Sequence, residues 1–191
     1  MQSHFYAILS RMKNINRWGL MRNTRQENLS EHSLEVAFIA HSLAVIGNKR
    51  LGKNISPEKT ALVAMFHDTS EIITGDMPTP IKYYNPEIKE AYKKIEAVAE
   101  KQLIDMLPED MRDEFYKIYN PDDEITSLVK AADKISALIK CIEESNMGNM
   151  EFKDAEASTR KLIEQMDMPE VKIFMEEFIE SFYLSLDKQR D

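Results

Sequence analysis

The chain has 191 residues, enough for one domain built around a continuous core. Its 25 Lys+Arg against 33 Asp+Glu leave a net charge of −8, which excludes a general affinity for nucleic-acid polymers or anionic membranes and leaves room only for a local basic pocket for one phosphate. Five glycines against 12 methionines exclude a turn-rich all-β chain, a single cysteine excludes an internal disulfide, and the absence of any membrane-length apolar run or signal-like first segment predicts a cytoplasmic protein.

In chain order, Phe5, Ile8, Leu9, Met12 and Ile15 share one face at helical spacing. The pattern lapses into a long polar loop from Asn16 to Leu29. Ser30 is the expected N-cap of a second helix running to about Ile46 and stopping at Gly47-Asn48. Leu34, Val36, Phe38, Ile39, Leu43 and Val45 cover most of its sides, so it should be central and buried. Ser56-Pro57-Glu58 starts a third helix, serine at the cap and proline in the first turn, reading through to about Thr74 before Gly75. The prolines of Asp76-Met77-Pro78-Thr79-Pro80 demand an extended loop. Asn85-Pro86-Glu87 begins a long helix to Leu107, Pro108-Glu109 a short one to Tyr119, and Asp122-Asp123 another long one to Asn146. Two more follow, from about Glu151 to Met166 and from Pro169 to Leu186. No repeat, linker or change in composition interrupts the series. The expectation is one all-α domain spanning 1–191.

Two of the 4 histidines occupy telling places. His67-Asp68 follows the apolar run Ala61–Phe66, where a buried aspartate needs a cation or a donor. His32 falls in the first turn of the apolar second helix, and Asp133 lies mid-helix with Val129 and Ala137 on its face. Each has an ordinary explanation taken singly: a capped or salt-bridged pair, a first-turn histidine, a bridge from Asp133 to Lys130 or Lys134. Taken together, His32, the His67-Asp68 pair and Asp133 stand on three separate central helices and form an imidazole and carboxylate set suited to one divalent transition metal with positions left for water and substrate.

The order His32 … His67-Asp68 … Asp133 resembles the metal signature of the HD-domain phosphohydrolases, a helical superfamily. Asn16-Arg17-Trp18, Arg25 to Glu27, Ser30-Glu31-His32-Ser33, His67-Asp68-Thr69-Ser70-Glu71 and Thr74 through Pro80 narrow the resemblance to bacterial 5'-deoxynucleotidases of the YfbR type, over about Gln2 to Asp187. Gly19 stands where proline commonly follows the tryptophan in that family. The resemblance implies an all-α HD-type bundle with a central metal site, hydrolysing deoxyribonucleoside 5'-monophosphates to deoxynucleoside and phosphate. It implies one divalent ion, with Co, Mn, Zn, Ni and Fe equally compatible, on His32, His67, Asp68 and Asp133. Glu71, one turn beyond His67, would position or deprotonate the attacking water, with Arg17 and Asp68 also in catalytic roles. Arg17 offers a donor fork to phosphate oxygens, Trp18 a face for the base, and Asp76, Met77, Pro78 and Thr79 contacts to the nucleoside, beside Asp68 and Asp133. A homodimer is implied as well.

Two rival readings remain at this level: an HD phosphohydrolase acting on cyclic or polyphosphate nucleotides, and a non-enzymatic helical binding module. The second predicts a lost metal ligand, and none of the four is lost. His4 and His41 read as helix-face residues, Cys141 as a small packed side chain, and Lys93-Lys94 and Lys161 as solvated charges.

Overall fold

A computed structural model describes residues 2–78, 81 and 84–190. The architecture is all-α, as expected. Helix α1 (Phe5–Leu9) tightens into a 3-10 turn at Ser10–Asn14. It is followed by α2 (Leu29–Leu51), α3 (Pro57–Phe66), α4 (Glu71–Thr74), α5 (Pro86–Asp105), α6 (Arg112–Tyr119), α7 (Asp123–Asn146), α8 (Lys153–Glu164) and α9 (Pro169–Phe178). Short 3-10 turns at Glu109–Met111, Met150–Phe152 and Ile179–Tyr183 precede α6 and α8 and follow α9. Among the described residues the only extended pairing is one antiparallel bridge between Asn16 and Asn28. Among the described residues no helix is long and apolar enough to cross a membrane.

Helix α2 packs against α3, α7 and α9, and its Val36, Leu43 and Ile46 meet Leu128, Ile135, Leu138 and Ile142 of α7 in the main core. A smaller cluster, Phe5 with Leu103 and Leu107, joins α1 to the end of α5 and receives Phe66 and Phe115. Side-chain caps set the starts of α2, α3, α5 and α7. Ser56, Asn85 and Asp122 each accept a backbone N–H three residues on, and proline follows the first two in the opening turn.

Several boundaries differ from the sequence expectation. The cap of α2 is Asn28, whose side chain accepts from Ser30 N and Glu31 N; starting there brings the fully buried Leu29 into the helix. The helix does not stop at Gly47. That glycine is a packing position, since a Cβ there would lie 3.3 Å from Lys53 Cδ, and the chain turns instead at Gly52 with φ +68°. Nor is α2 buried on every side, because Phe38 is 66% and Leu34 48% exposed. The third helix breaks after Phe66 rather than reaching Thr74. His67 Nδ1 donates to Ala64 O at 2.7 Å and Thr69 Oγ1 to Phe66 O at 2.8 Å, so side chains take the carbonyls at the break. The final helix similarly gives way at Phe178 to a 3-10 turn.

Candidate metal centre and substrate cavity

The break at the end of α3 places His67 and Asp68 outside regular helix, facing His32 from the first turns of α2. Their ligating atoms, one each from His32, His67 and Asp68, lie within 4.8 Å of one another. Asp68 Oδ2 is 3.2 Å from His67 Nε2 and 3.5 Å from His32 Nε2. Asp133 Oδ1, from α7, is 3.2 Å from His32 Nε2. Asp133 borders the three-residue cluster, and its other oxygen accepts from Lys134 Nζ at 2.9 Å. The bridge to Lys134, the ordinary explanation for Asp133, is therefore present alongside its contact with the site.

The residues fit a divalent ion. His67 Nδ1 must carry its proton to bond Ala64 O, which turns the lone pair of Nε2 to the cluster. The Ser136 hydroxyl donates to Glu35 and so accepts from His32 Nδ1 at 3.1 Å, fixing the same tautomer there. Both Nε2 atoms are buried, and neither makes a hydrogen bond of good geometry among the described residues. The carboxylates around them favour positive charge at this point. Burial and Arg17 pull the His32 pKa down, yet Asp133, Asp68 and Glu27 raise it to about 10. Burial would lift Asp68 and Asp133, but the imidazoles and, at Asp133, Lys134 hold both well below the usual carboxylate range. A divalent ion meets the same demand while displacing the proton.

Arg17 reaches over this cluster. Backbone bonds from Arg17 N to Glu27 O (2.9 Å) and from Leu29 N to Ile15 O (3.0 Å) tie its loop to the start of α2. The guanidinium donates to Asp68 Oδ2 at 3.2 Å and lies 3.9 Å from Asp133 Oδ1. Trp18 has φ +60°, a left-handed conformation costing about 1–2 kcal/mol in a non-glycine residue. It is held there by Nε1 donating to Glu27 Oε2 at 2.8 Å, by Met21 N and Asn23 Nδ2 donating to its carbonyl, and by Phe152, whose ring centroid is 5.3 Å away. The following Gly19 has open space where a Cβ would stand.

Arg17, Trp18, Asp76, Met77 and Pro78 line one cavity of about 550 Å³, walled opposite by Ala137, Ala155 and Leu162. The structure thus brings together Arg17, Trp18, Asp76, Met77 and Pro78 of the residues expected to hold the nucleoside; Asp68 and Asp133 line a different cavity, and Thr79 lies outside the described residues. A second cavity of about 560 Å³ has His67, Asp68 and Asp133 in its lining. Glu71 is buried, with its N–H on Asp68 O at 3.0 Å. Its place does not come from the helical turn expected after His67, since residues 67–70 are not helical.

Sequence reasoning gave no role to Glu27, which faces Trp18 Nε1, Arg17 Nε (3.4 Å) and His32 Nδ1 (3.7 Å) at once. Burial would raise the Glu27 pKa, but His32, Arg17 and Trp18 hold it below its ordinary value. Glu144 was missed too. It is fully buried and accepts from Thr24 N, Thr24 Oγ1, Arg25 N, Lys140 Nζ and Asn149 Nδ2, pinning the Arg17–Trp18 loop to α7. Its one sequence signal is the Lys140/Glu144 pair, spaced four apart on an otherwise apolar helix face.

Comparison with known proteins places this geometry. Residues 4–182 match the family model described as 5'-deoxynucleotidase YfbR-like. A Vibrio cholerae protein named 5'-deoxynucleotidase is 52% identical over 190 residues, 98% of each chain. An HD-domain phosphohydrolase from Listeria innocua superposes with a TM-score of 0.82 at 22% identity, covering 98% of this chain and 92% of that one. The cyanophage S-2L HD phosphohydrolase DatZ, bound to dA and one catalytic Zn2+ ion, gives a TM-score of 0.66 at 20% identity over 92% and 95% of the two chains. With its helical bundle, its His-His-Asp cluster and a family match over nearly its whole length, the chain belongs to the YfbR-like 5'-deoxynucleotidase family.

Proposed function

We infer that the protein is a 5'-deoxynucleotidase that hydrolyses deoxyribonucleoside 5'-monophosphates to the deoxynucleoside and phosphate. The observation that carries this reading is one arginine, Arg17, which touches Asp68 of the metal cluster and lines the cavity that also holds Trp18 and Asp76. A phosphate under Arg17 would therefore reach the metal cluster while its nucleoside occupies that cavity.

His32, His67 and Asp68, with Asp133 beside them, would hold one divalent ion, whose chemistry is to polarise a phosphate oxygen and acidify water. Arg17 clamps two phosphate oxygens and offsets their charge. The flat face of Trp18 walls the base without reading its hydrogen-bonding edge. Asp76 accepts from a sugar hydroxyl, and Met77 and Pro78 close around the deoxyribose. Glu71, buried in the turn that follows Asp68, is the residue we assign to orienting or deprotonating the attacking water. One proton of the water ends on the leaving O5' and the other stays on phosphate.

The reading extends to one HD domain over residues 1–191, a cytoplasmic location and a homodimer. The dimer is supported by a groove lined by Phe38, Phe174, Phe178 and Phe182, with Phe38 and Phe178 exposed. Sedimentation velocity tests it, a monomer at all concentrations counting against it. The function itself is tested by stripping the protein of metal, reloading it with Mn, Co, Ni, Zn or Fe singly, and assaying phosphate release from deoxynucleoside monophosphates. Activity should appear only with metal. Hydrolysis of cyclic nucleotides or nucleoside triphosphates in preference to monophosphates would overturn the substrate assignment.

A further inference from the structure

The two cavities, one beside Arg17 and the other lined by the metal centre itself, differ in chemistry. The first is aromatic and apolar around Trp18, Leu20, Met77 and Leu162. The second, of about 560 Å³, is bordered by Lys89 and Lys93 of α5 and by Lys130 and Lys134 of α7, with His67, Asp68 and Asp133 also in its lining. Four lysines around one opening stand out in a chain of net charge −8. The same lining holds four carboxylates, but two of them, Asp68 and Asp133, belong to the metal centre, where a divalent ion would offset them, which leaves Glu96 and Glu100 facing the lysines. Burial and the neighbouring Glu96 push the Glu100 pKa up to about 7, which further reduces negative charge there. Among the described residues Lys134 alone lines both cavities.

The reaction forms two products of equally different chemistry, an uncharged deoxynucleoside and a phosphate dianion. In-line displacement at phosphorus requires the water to attack from the side opposite the leaving O5'. With the nucleoside on the Trp18 side, the attacking water must come from the other. The new P–O bond forms there as the P–O5' bond breaks, so the phosphoryl group moves away from the nucleoside.

Resting on the function inferred above, we propose that the lysine-lined cavity is a binding site for inorganic phosphate, through which water enters and the phosphate product leaves while the deoxynucleoside departs past Trp18. Lys93 and Lys130 face the phosphate from opposite helices, and both side chains are exposed and make no ion pair among the described residues. Tight packing therefore does not depend on either.

The test is product inhibition of the metal-loaded enzyme by added inorganic phosphate, in wild type, in a Lys93→Gln/Lys130→Gln pair and in a Lys93→Arg/Lys130→Arg pair. The Ki for phosphate relative to the KM for nucleotide should rise about tenfold in the glutamine pair and stay near wild type in the arginine pair. Titration calorimetry should show phosphate binding to wild type in the presence of saturating deoxynucleoside. An unchanged Ki in an active glutamine pair, or Ki and KM rising together, would overturn the proposal by placing phosphate only under Arg17. A wild type that hydrolyses no deoxynucleoside monophosphate would instead overturn the function, and the proposal with it.

Discussion

Replacing Glu27 by glutamine separates the charge of this carboxylate from its shape. Glutamine keeps an oxygen that can accept from Trp18 Nε1, now 2.8 Å from Glu27 Oε2. It removes the negative charge facing Arg17 Nε at 3.4 Å and His32 Nδ1 at 3.7 Å. A hydrogen bond to a charged group contributes about 1.5–3 kcal/mol and a neutral one about 0.5–1.5 kcal/mol, so the change should cost about 1–2 kcal/mol in fixing Arg17 and Trp18. Expressed in the transition state, that is roughly a 5- to 30-fold loss of kcat/KM. Metal content should hold, because His32 Nδ1 keeps its bond to Ser136 at 3.1 Å. Trp18 is the only tryptophan, so its emission reports this bond directly. Glu27→Ala removes the acceptor and should shift the emission further than Glu27→Gln. Emission and kcat/KM within about twofold of wild type in both variants would refute the reasoning.

Other expectations follow from the same geometry. His67→Ala or Asp68→Ala should lose both bound metal and phosphate release while keeping helical circular dichroism, with metal content read by mass spectrometry. Glu71→Gln should retain metal yet lower turnover by about a hundredfold or more, as expected for removal of a general base; near-normal turnover would return Glu71 to a structural role. Glu100 ionises at about 7 in the fold against 4.5 for an ordinary glutamate, so its neutral form is favoured by folding. That contribution is complete below about pH 4.5 and is lost as pH rises through 7. Glu100→Gln should therefore raise the melting temperature at pH 8 more than at pH 5, and an equal effect at both would refute the linkage.

Much of the fold was legible because its signals are local. Ser56-Pro57, Asn85-Pro86 and Asp122 announce helix starts by chemistry contained within one turn. Where two candidates compete, tertiary packing decides. Asn28 and Ser30 are both good caps, and only the burial of Leu29 selects the first. Gly47 reads as a stop but serves close approach of Lys53 and Ile55. The break after Phe66 arises from His67 and Thr69 side chains bonding backbone carbonyls, which no apolar periodicity reports. At the site, His32, His67 and Asp68 could be named because, taken together with Asp133, they form an imidazole and carboxylate set in apolar surroundings, although each alone has an ordinary explanation. Glu27 could not, since its three contacts exist only once the 16–28 loop folds back on α2. Glu144 was equally hidden, because a glutamate near a helix end reads as solvated until the loop that covers it is in place.

The most direct test of the central claim is competition between deoxy- and ribonucleoside monophosphates carrying the same base, using metal-loaded enzyme, repeated for each base. A 2'-hydroxyl entering the sugar pocket proposed beside Met77 and Pro78 would, without a partner, cost roughly 1–3 kcal/mol. The account predicts at least about a tenfold preference for the deoxy form with every base and only a small dependence on base identity. Equal turnover of the two sugars would contradict it.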